Sequence, residues 1–137
     1  MIRMSSIKPP KIFVVEDNPI YQELIIKALE SVSDDVHLFV SGETCLAEMH
    51  KSPSVIVMDY RLEGKINGLT TIRKIRRTNP HVYVILFSTD AGLDTQQNLQ
   101  EYGDFDYLKK TIYAFPLLKQ MINSSIATII NSPVSRN

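Results

Sequence analysis

Short stretches in which every side chain is apolar recur along this chain: Ile12-Phe13-Val14-Val15, Val55-Ile56-Val57-Met58 and Val82 to Phe87. A strand that alternates apolar and polar residues keeps one face in water. These keep neither, so each must be covered on both faces. Val36 to Val40 and Phe105 to Leu108 complete a set of five strand-like runs. Between them lie helix-like segments. Asn18 caps the first, with Pro19 at the opening helical position, where a missing N–H costs nothing. That helix runs to about Glu30, with Ile20, Leu24 and Ala28 on its apolar face. Ser41 caps a short helix through Met49, and another runs from about Leu69 to Arg77 until Pro80 ends the unit. Residues 92 to 101 read as a weak polar helix, and Ala114 to about Ile130 as the last. Five strands alternating with five helices predict an α/β domain: a parallel five-stranded sheet with helices on both faces and right-handed crossovers.

A chain of 137 residues accommodates one such domain, expected over residues 11–130, with an N-terminal extension at 1–10 and a tail at 131–137. Hydrophobic residues at 44% supply a core without disulfides, and the single cysteine, Cys45, reads as a buried thiol. Lys plus Arg equals Asp plus Glu, 15 each, which gives no electrostatic case for binding nucleic acid or a membrane surface. The densest basic stretch, Arg73-Lys74-Ile75-Arg76-Arg77, reads as a solvated helix face, with a docking patch as the sharper alternative. His37, His50 and His81 lack metal-ligand spacing. No apolar run is long enough for membrane insertion and no signal peptide stands out, so a cytoplasmic protein is the expectation.

Open α/β sheets bind ligands at the carboxyl ends of their strands. The residues just past the apolar runs are therefore the ones to read. Glu16 and Asp17 follow the first strand, Asp59 the third, Ser88, Thr89 and Asp90 the fourth, and Lys110 the fifth. Singly, each is an ordinary turn or surface residue. Together they gather carboxylates, a hydroxyl and an ammonium at one edge. Crowded carboxylates repel, and a divalent ion with oxygen ligands is what offsets such a cost.

Val14-Val15-Glu16-Asp17-Asn18, Val57-Met58-Asp59, Leu86-Phe87-Ser88 and Gly103-Asp104-Phe105-Asp106-Tyr107-Leu108-Lys109-Lys110 together resemble the signature of response-regulator receiver domains, the CheY-like superfamily. The resemblance spans about residues 11 to 130 and implies the flavodoxin-like strand order 2-1-3-4-5. It implies that Asp59 is the phosphoacceptor, attacking a phosphohistidine on a sensor histidine kinase or histidine phosphotransfer protein. Asp17 and Asp59 would hold Mg²⁺ directly, Glu16 through water, and the backbone carbonyl of Arg61 would add a ligand; Mn²⁺ is the alternative ion. Lys110 and Ser88 would contact the phosphoryl oxygens. Ser88 and Tyr107 would form the switch, Tyr107 turning inward as Ser88 shifts; the plainer reading is that Tyr107 packs at the sheet edge. The chemistry implied is self-phosphorylation and autodephosphorylation, not turnover of a metabolite.

Four features depart from the family pattern. Thr111 stands where proline usually follows the lysine, implying either a trans Lys110–Thr111 bond with a reshaped loop or a strained cis bond. Glu63 occupies the usual proline position after the acceptor, and Gly68 lies nine residues beyond Asp59, one more than is common. Thr89 replaces the usual small residue after the hydroxyl. Arg61 and Asp90, each two residues past a site residue, are expected to pair over the phosphoryl group and restrict water. About seven residues follow the last helix, so output is expected through a target protein or a phosphorelay partner rather than an attached domain. The last helix carries Phe115, Leu118, Ile122, Ile126 and Ile129 in one stripe, flanked by Leu117, Met121 and Ile130; its surplus apolar edge reads as core packing or as a docking or homodimer face. Two rivals stand beside the signalling reading. One is a pseudo-receiver that binds without phosphotransfer. The other is a Mg²⁺ phosphatase, which generally wants a second Asp where Arg61 stands.

Overall fold

The structure, a computed structural model, describes residues 8–89 and 99–131. Strand β1 (Ile12–Val15) is followed by α1 (Pro19–Leu29), β2 (Val36–Phe39), α2 (Gly42–Ala47), β3 (Val55–Met58), α3 (Gly68–Thr78), β4 (Tyr83–Ser88), β5 (Asp106–Lys109) and α4 (Ala114–Asn131). Short 3₁₀ turns occupy Met49–Lys51 and Leu99–Tyr102. The helix expected over 92–101 falls largely outside the described residues. All four strand pairings are parallel, in the order β2-β1-β3-β4-β5.

The all-apolar runs do what their composition demands. Successive residues of each strand point to opposite faces, so β1 and β3 feed two separate cores. Phe13, Val15, Ile56 and Met58 join Cys45 of α2 and Leu69, Ile72 and Ile75 of α3 on one face. Ile12, Val14, Val55 and Val57 join Ile25 and Leu29 of α1 and Leu118 and Ile122 of α4 on the other.

Two expectations about helix faces are corrected. On α1 the buried residues are Ile25 and Leu29, whereas Ile20 is 68% and Leu24 42% exposed. The stripe at 20, 24 and 28 lies one residue, about 100° of turn, from the stripe that packs. Both stripes are apolar, so periodicity could not choose between them. On α3 the basic run is not wholly solvated. Ile75 is buried, and Arg76 turns back to donate to the carbonyls of Val82 (2.6 Å) and Asp104 (2.5 and 3.0 Å). Arg76 thus ties the end of α3 to the starts of β4 and β5. On α4, Leu118 and Ile122 are buried, while Leu117 is half exposed and, with Met121, lines a groove beside Tyr83 and Asp106. The side chains of Ile129 and Ile130 lie outside the description. Among the described residues no helix is long and apolar enough to cross a membrane.

Candidate functional site

Three of the four sheet ladders run one bond past the strand, and that extra bond fixes the site. The N–H of Glu16 donates to the Phe39 carbonyl (2.8 Å), that of Asp59 to Val15 (3.0 Å) and that of Lys110 to Ser88 (2.9 Å). Three backbones from three loops are thereby held to the geometry of a rigid sheet.

Lys110 is the hub. Its Nζ donates to Asp59 Oδ2 at 2.9 Å and to Glu16 Oε1. The three side chains are 3%, 11% and 1% exposed, so these are ion pairs in a largely dry environment. Asp59 Oδ1 accepts from the Tyr60 N–H at 2.7 Å, and Glu16 Oε2 from the Asn18 N–H at 3.1 Å. Asn18 also caps α1, its Oδ1 accepting from Ile20 and Tyr21. Gln22 donates to the Glu16 carbonyl at 2.7 Å, closing the loop from the other side. Burial pushes the Glu16 carboxyl above the usual carboxylate range; the Lys110 ammonium works against that rise and the Asp59 charge adds to it. The ring of Tyr21 lies under the ammonium, a contact that no motif signalled.

Glu16, Asp17 and Asp59 each bring a carboxylate oxygen within 4.8 Å of the other two. At that separation each pair of charges repels by about 3 kcal/mol at an effective dielectric near 20. Three carboxylates and one ammonium sum to −2, which a divalent ion balances. The donors are all hard oxygens without histidine or thiolate, the set that suits Mg²⁺ rather than a softer metal.

Ser88 is buried at the end of β4, and Thr89 beyond it is exposed. Tyr107 pairs with Leu86 across the β4–β5 ladder, packs against the α2–α3 core and has its hydroxyl oxygen closed off from solvent. Arg61 is exposed, its guanidinium 5.8 Å from the Tyr60 ring centroid. Asp90, its expected partner, lies outside the described residues.

The departures in the loops have local explanations. No cis peptide occurs among the described residues, so the Lys110–Thr111 bond is trans. Thr111 builds its own turn, Oγ1 accepting from the Tyr113 N–H (3.2 Å) and its carbonyl from Ala114 (3.1 Å). The longer loop after Asp59 is tied to α2: the Lys65 N–H donates to Glu43 Oε2 at 2.7 Å, and Gly64 takes a φ of +91° beside that carboxylate. Gly68 is required where α3 meets Asp59, because a Cβ there would stand 2.0 Å from the Asp59 carbonyl oxygen.

The sequence profile of the response regulator receiver domain matches residues 12–123. The chain belongs to the response regulator receiver domain family. It is 35% identical over 100 residues to the transcriptional regulatory protein CssR of Bacillus subtilis, covering 72% of this chain and 44% of that one. It is 30% identical over 111 residues to the probable transcriptional regulatory protein TcrX of Mycobacterium tuberculosis, covering 80% and 47%. The receiver thus spans about half the length of these curated relatives. The response regulator TrrA of Thermotoga maritima, solved in complex with Mg²⁺–BeF, shares the fold with a TM-score of 0.74 at 22% identity, covering 85% of this chain and 98% of that one.

Proposed function

We propose that this receiver takes a phosphoryl group onto Asp59 from the phosphohistidine of a sensor kinase or phosphotransfer protein. The observation that carries the reading is the buried junction of Asp59, Glu16 and Lys110, with the Lys110 ammonium 2.9 Å from the acceptor carboxylate. A carboxylate oxygen of Asp59 attacks phosphorus as the P–N bond breaks, and the electron pair returns to the donor imidazole. Asp17 and Asp59 would hold Mg²⁺ (or Mn²⁺) directly, with Glu16 acting through water and the Arg61 carbonyl as a further ligand. When bound, the ion neutralises charge on the transferring oxygens.

Lys110 then holds a phosphoryl oxygen in place of the carboxylate, and Ser88 donates to another. The phosphoryl group brings about −1.5 to −2 charges. Ser88 and Tyr107 carry that change to the surface around β4 and β5, where a target protein reads it. Thr89, Thr111 and the pair Arg61–Asp90 set how long the phosphoryl group lasts. CssR and TcrX are named as transcriptional regulatory proteins and the chain spans about half their length, so an effector that acts at DNA joins the target proteins as a downstream partner. The reaction belongs in the cytoplasm, where histidine kinases present their phosphohistidine.

The test is incubation with Mg²⁺ and acetyl phosphate, followed by intact-mass measurement and mapping. Phosphorylation at Asp59, absent from Asp59→Asn, is the expected result. No modification with either acetyl phosphate or a phosphorylated kinase domain points to a pseudo-receiver, and multiple turnover of a phosphoester points to a phosphatase.

A further inference from the structure

Lys110 is surrounded by rings as well as carboxylates. Its ammonium lies 4.2 Å from the Tyr21 ring centroid and 5.8 Å from that of Phe87. Tyr21 stacks on Phe115 with centroids 6.4 Å apart and planes at 26°; Phe115 meets Phe87 edge-on at 5.6 Å and 81°. One ring comes from the first turn of α1, one from β4 and one from the first turn of α4. They form a connected wall beside a lysine side chain only 3% exposed. The local sequence aims Tyr21 there: Asn18 accepts from the Tyr21 backbone N–H at 3.2 Å and so fixes the first turn of α1. The face of an aromatic ring carries negative charge density, and it attracts an ammonium more strongly as water is excluded. An aliphatic side chain at the same place would cover the ammonium without attracting it.

We propose that Tyr21 is a positioning residue for Lys110, its ring face holding the ammonium at the acceptor while the ammonium's anionic partner changes. The inference rests on the reading of Asp59 as the phosphoacceptor. Phosphorylation converts a carboxylate oxygen of Asp59 into an acyl phosphate and alters the Asp59–Lys110 pair. A lysine on a flexible four-carbon stem needs something that does not change in that step. The contact with Tyr21 is such a constant, because neither the ring nor its support on Phe115 takes part in the transfer.

Binding of beryllofluoride, which stands in for the phosphoryl group, tests this on the full chain by calorimetry and NMR. In saturating Mg²⁺, Tyr21→Leu should weaken beryllofluoride binding about tenfold, while Tyr21→Phe, which keeps the ring face, binds like the wild type. Mg²⁺ affinity without beryllofluoride should stay within about threefold in both variants, since the carboxylates and not Lys110 hold the ion. The Lys110 ε-methylene protons should be ring-current shifted upfield in wild type and Tyr21→Phe, and lose most of that shift in Tyr21→Leu, where only the more distant Phe87 ring remains. Wild-type-like beryllofluoride binding by Tyr21→Leu overturns the proposal. So does an equal loss in Tyr21→Phe, or a matching loss of Mg²⁺ affinity, which would mean general damage to the site. Failure of the wild type itself to bind beryllofluoride sinks the phosphoacceptor reading and this inference together; a wild type that binds, with an indifferent Tyr21→Leu, sinks only the role of Tyr21.

Discussion

Replacing Lys110 by Met removes the charge and leaves an unbranched, flexible side chain one heavy atom shorter. At 2.9 Å from Asp59 Oδ2, the pair attracts by about 6 kcal/mol at an effective dielectric near 20. Glu16 contributes a second contact. Most of that attraction is offset by the cost of drying the ammonium, several kcal/mol per ion in a real protein. What the variant loses beyond that balance is the compensation of two carboxylates that stay buried. Removing one partner of a buried pair costs about 3 to 5 kcal/mol. In a domain of this size, 3 kcal/mol lowers Tm by roughly 10 °C. Thermal melts followed by circular dichroism in EDTA measure it directly. Two further arms separate charge from packing. Glu16→Gln on the Lys110→Met background should recover part of the loss, because it removes one stranded charge. Millimolar Mg²⁺ should raise Tm more in Lys110→Met than in wild type, because ligand binding stabilises the folded state and the variant site is more negative. A Tm within about 2 °C of wild type, with no differential response to Mg²⁺, would refute the view that Lys110 neutralises this site.

Gly68→Ala should destabilise the domain by about 2 kcal/mol or more and weaken beryllofluoride binding, because its Cβ would meet the Asp59 carbonyl oxygen at 2.0 Å; unchanged melting would show that α3 can step back freely. Ile25→Ala should cost about 2 to 5 kcal/mol in urea unfolding, whereas Ile20→Ser on the exposed stripe should stay within about 0.5 kcal/mol, and the reverse order would contradict the observed face of α1. Burial pushes the Cys45 thiol up to about 12, so at pH 8 it is neutral as well as inaccessible. A thiol reagent should therefore label Cys45 only as fast as the domain opens, and rapid stoichiometric labelling of folded protein would contradict this.

The sheet was legible because its inner strands β1, β3 and β4 are buried on both faces. Val55-Ile56-Val57-Met58 has no polar residue to place in water, so the need for two helical layers follows from four residues. The site was legible for a related reason: Glu16, Asp59 and Lys110 each follow a strand directly, and the ladder holds their backbones where the strand leaves them. Legibility fails where a side chain's destination depends on a distant element. The sequence of α1 offers two adjacent apolar stripes, and only the positions of β1 and α4 decide that Ile25 packs and Ile20 does not. Arg76 sits in a run of charges, and its inward turn depends on carbonyls at Val82 and Asp104 being within reach. Tyr21 belongs to no motif of the sequence and sits in the first turn of α1. Its role beside Lys110 required a contact between residues 89 positions apart (110 − 21), which no local pattern encodes.

On the proposed reading, the resting contacts of Lys110 already describe what phosphorylation must change. The ammonium holds Glu16 and Asp59 together now; after transfer it turns to a phosphoryl oxygen, and Ser88 at the end of β4 finds a new acceptor within the same dry corner. With the ammonium held on Tyr21, it is the buried Ser88 hydroxyl that has to move toward the new acceptor, and in a packed corner that movement is passed to the strand end that carries it. Ser88 and Lys109 lie opposite each other in the β4–β5 ladder, and Tyr107 two residues earlier pairs with Leu86. A shift at Ser88 is therefore delivered to the backbone that carries Tyr107, whose ring is already packed inward with its hydroxyl oxygen out of reach of solvent. Moving such an equilibrium from 1:99 to 99:1 takes about 5.5 kcal/mol. On the same reading, a phosphoryl group that draws Ser88 toward itself would have to favour one packing of Tyr107 by that amount, the inward packing seen here being the candidate.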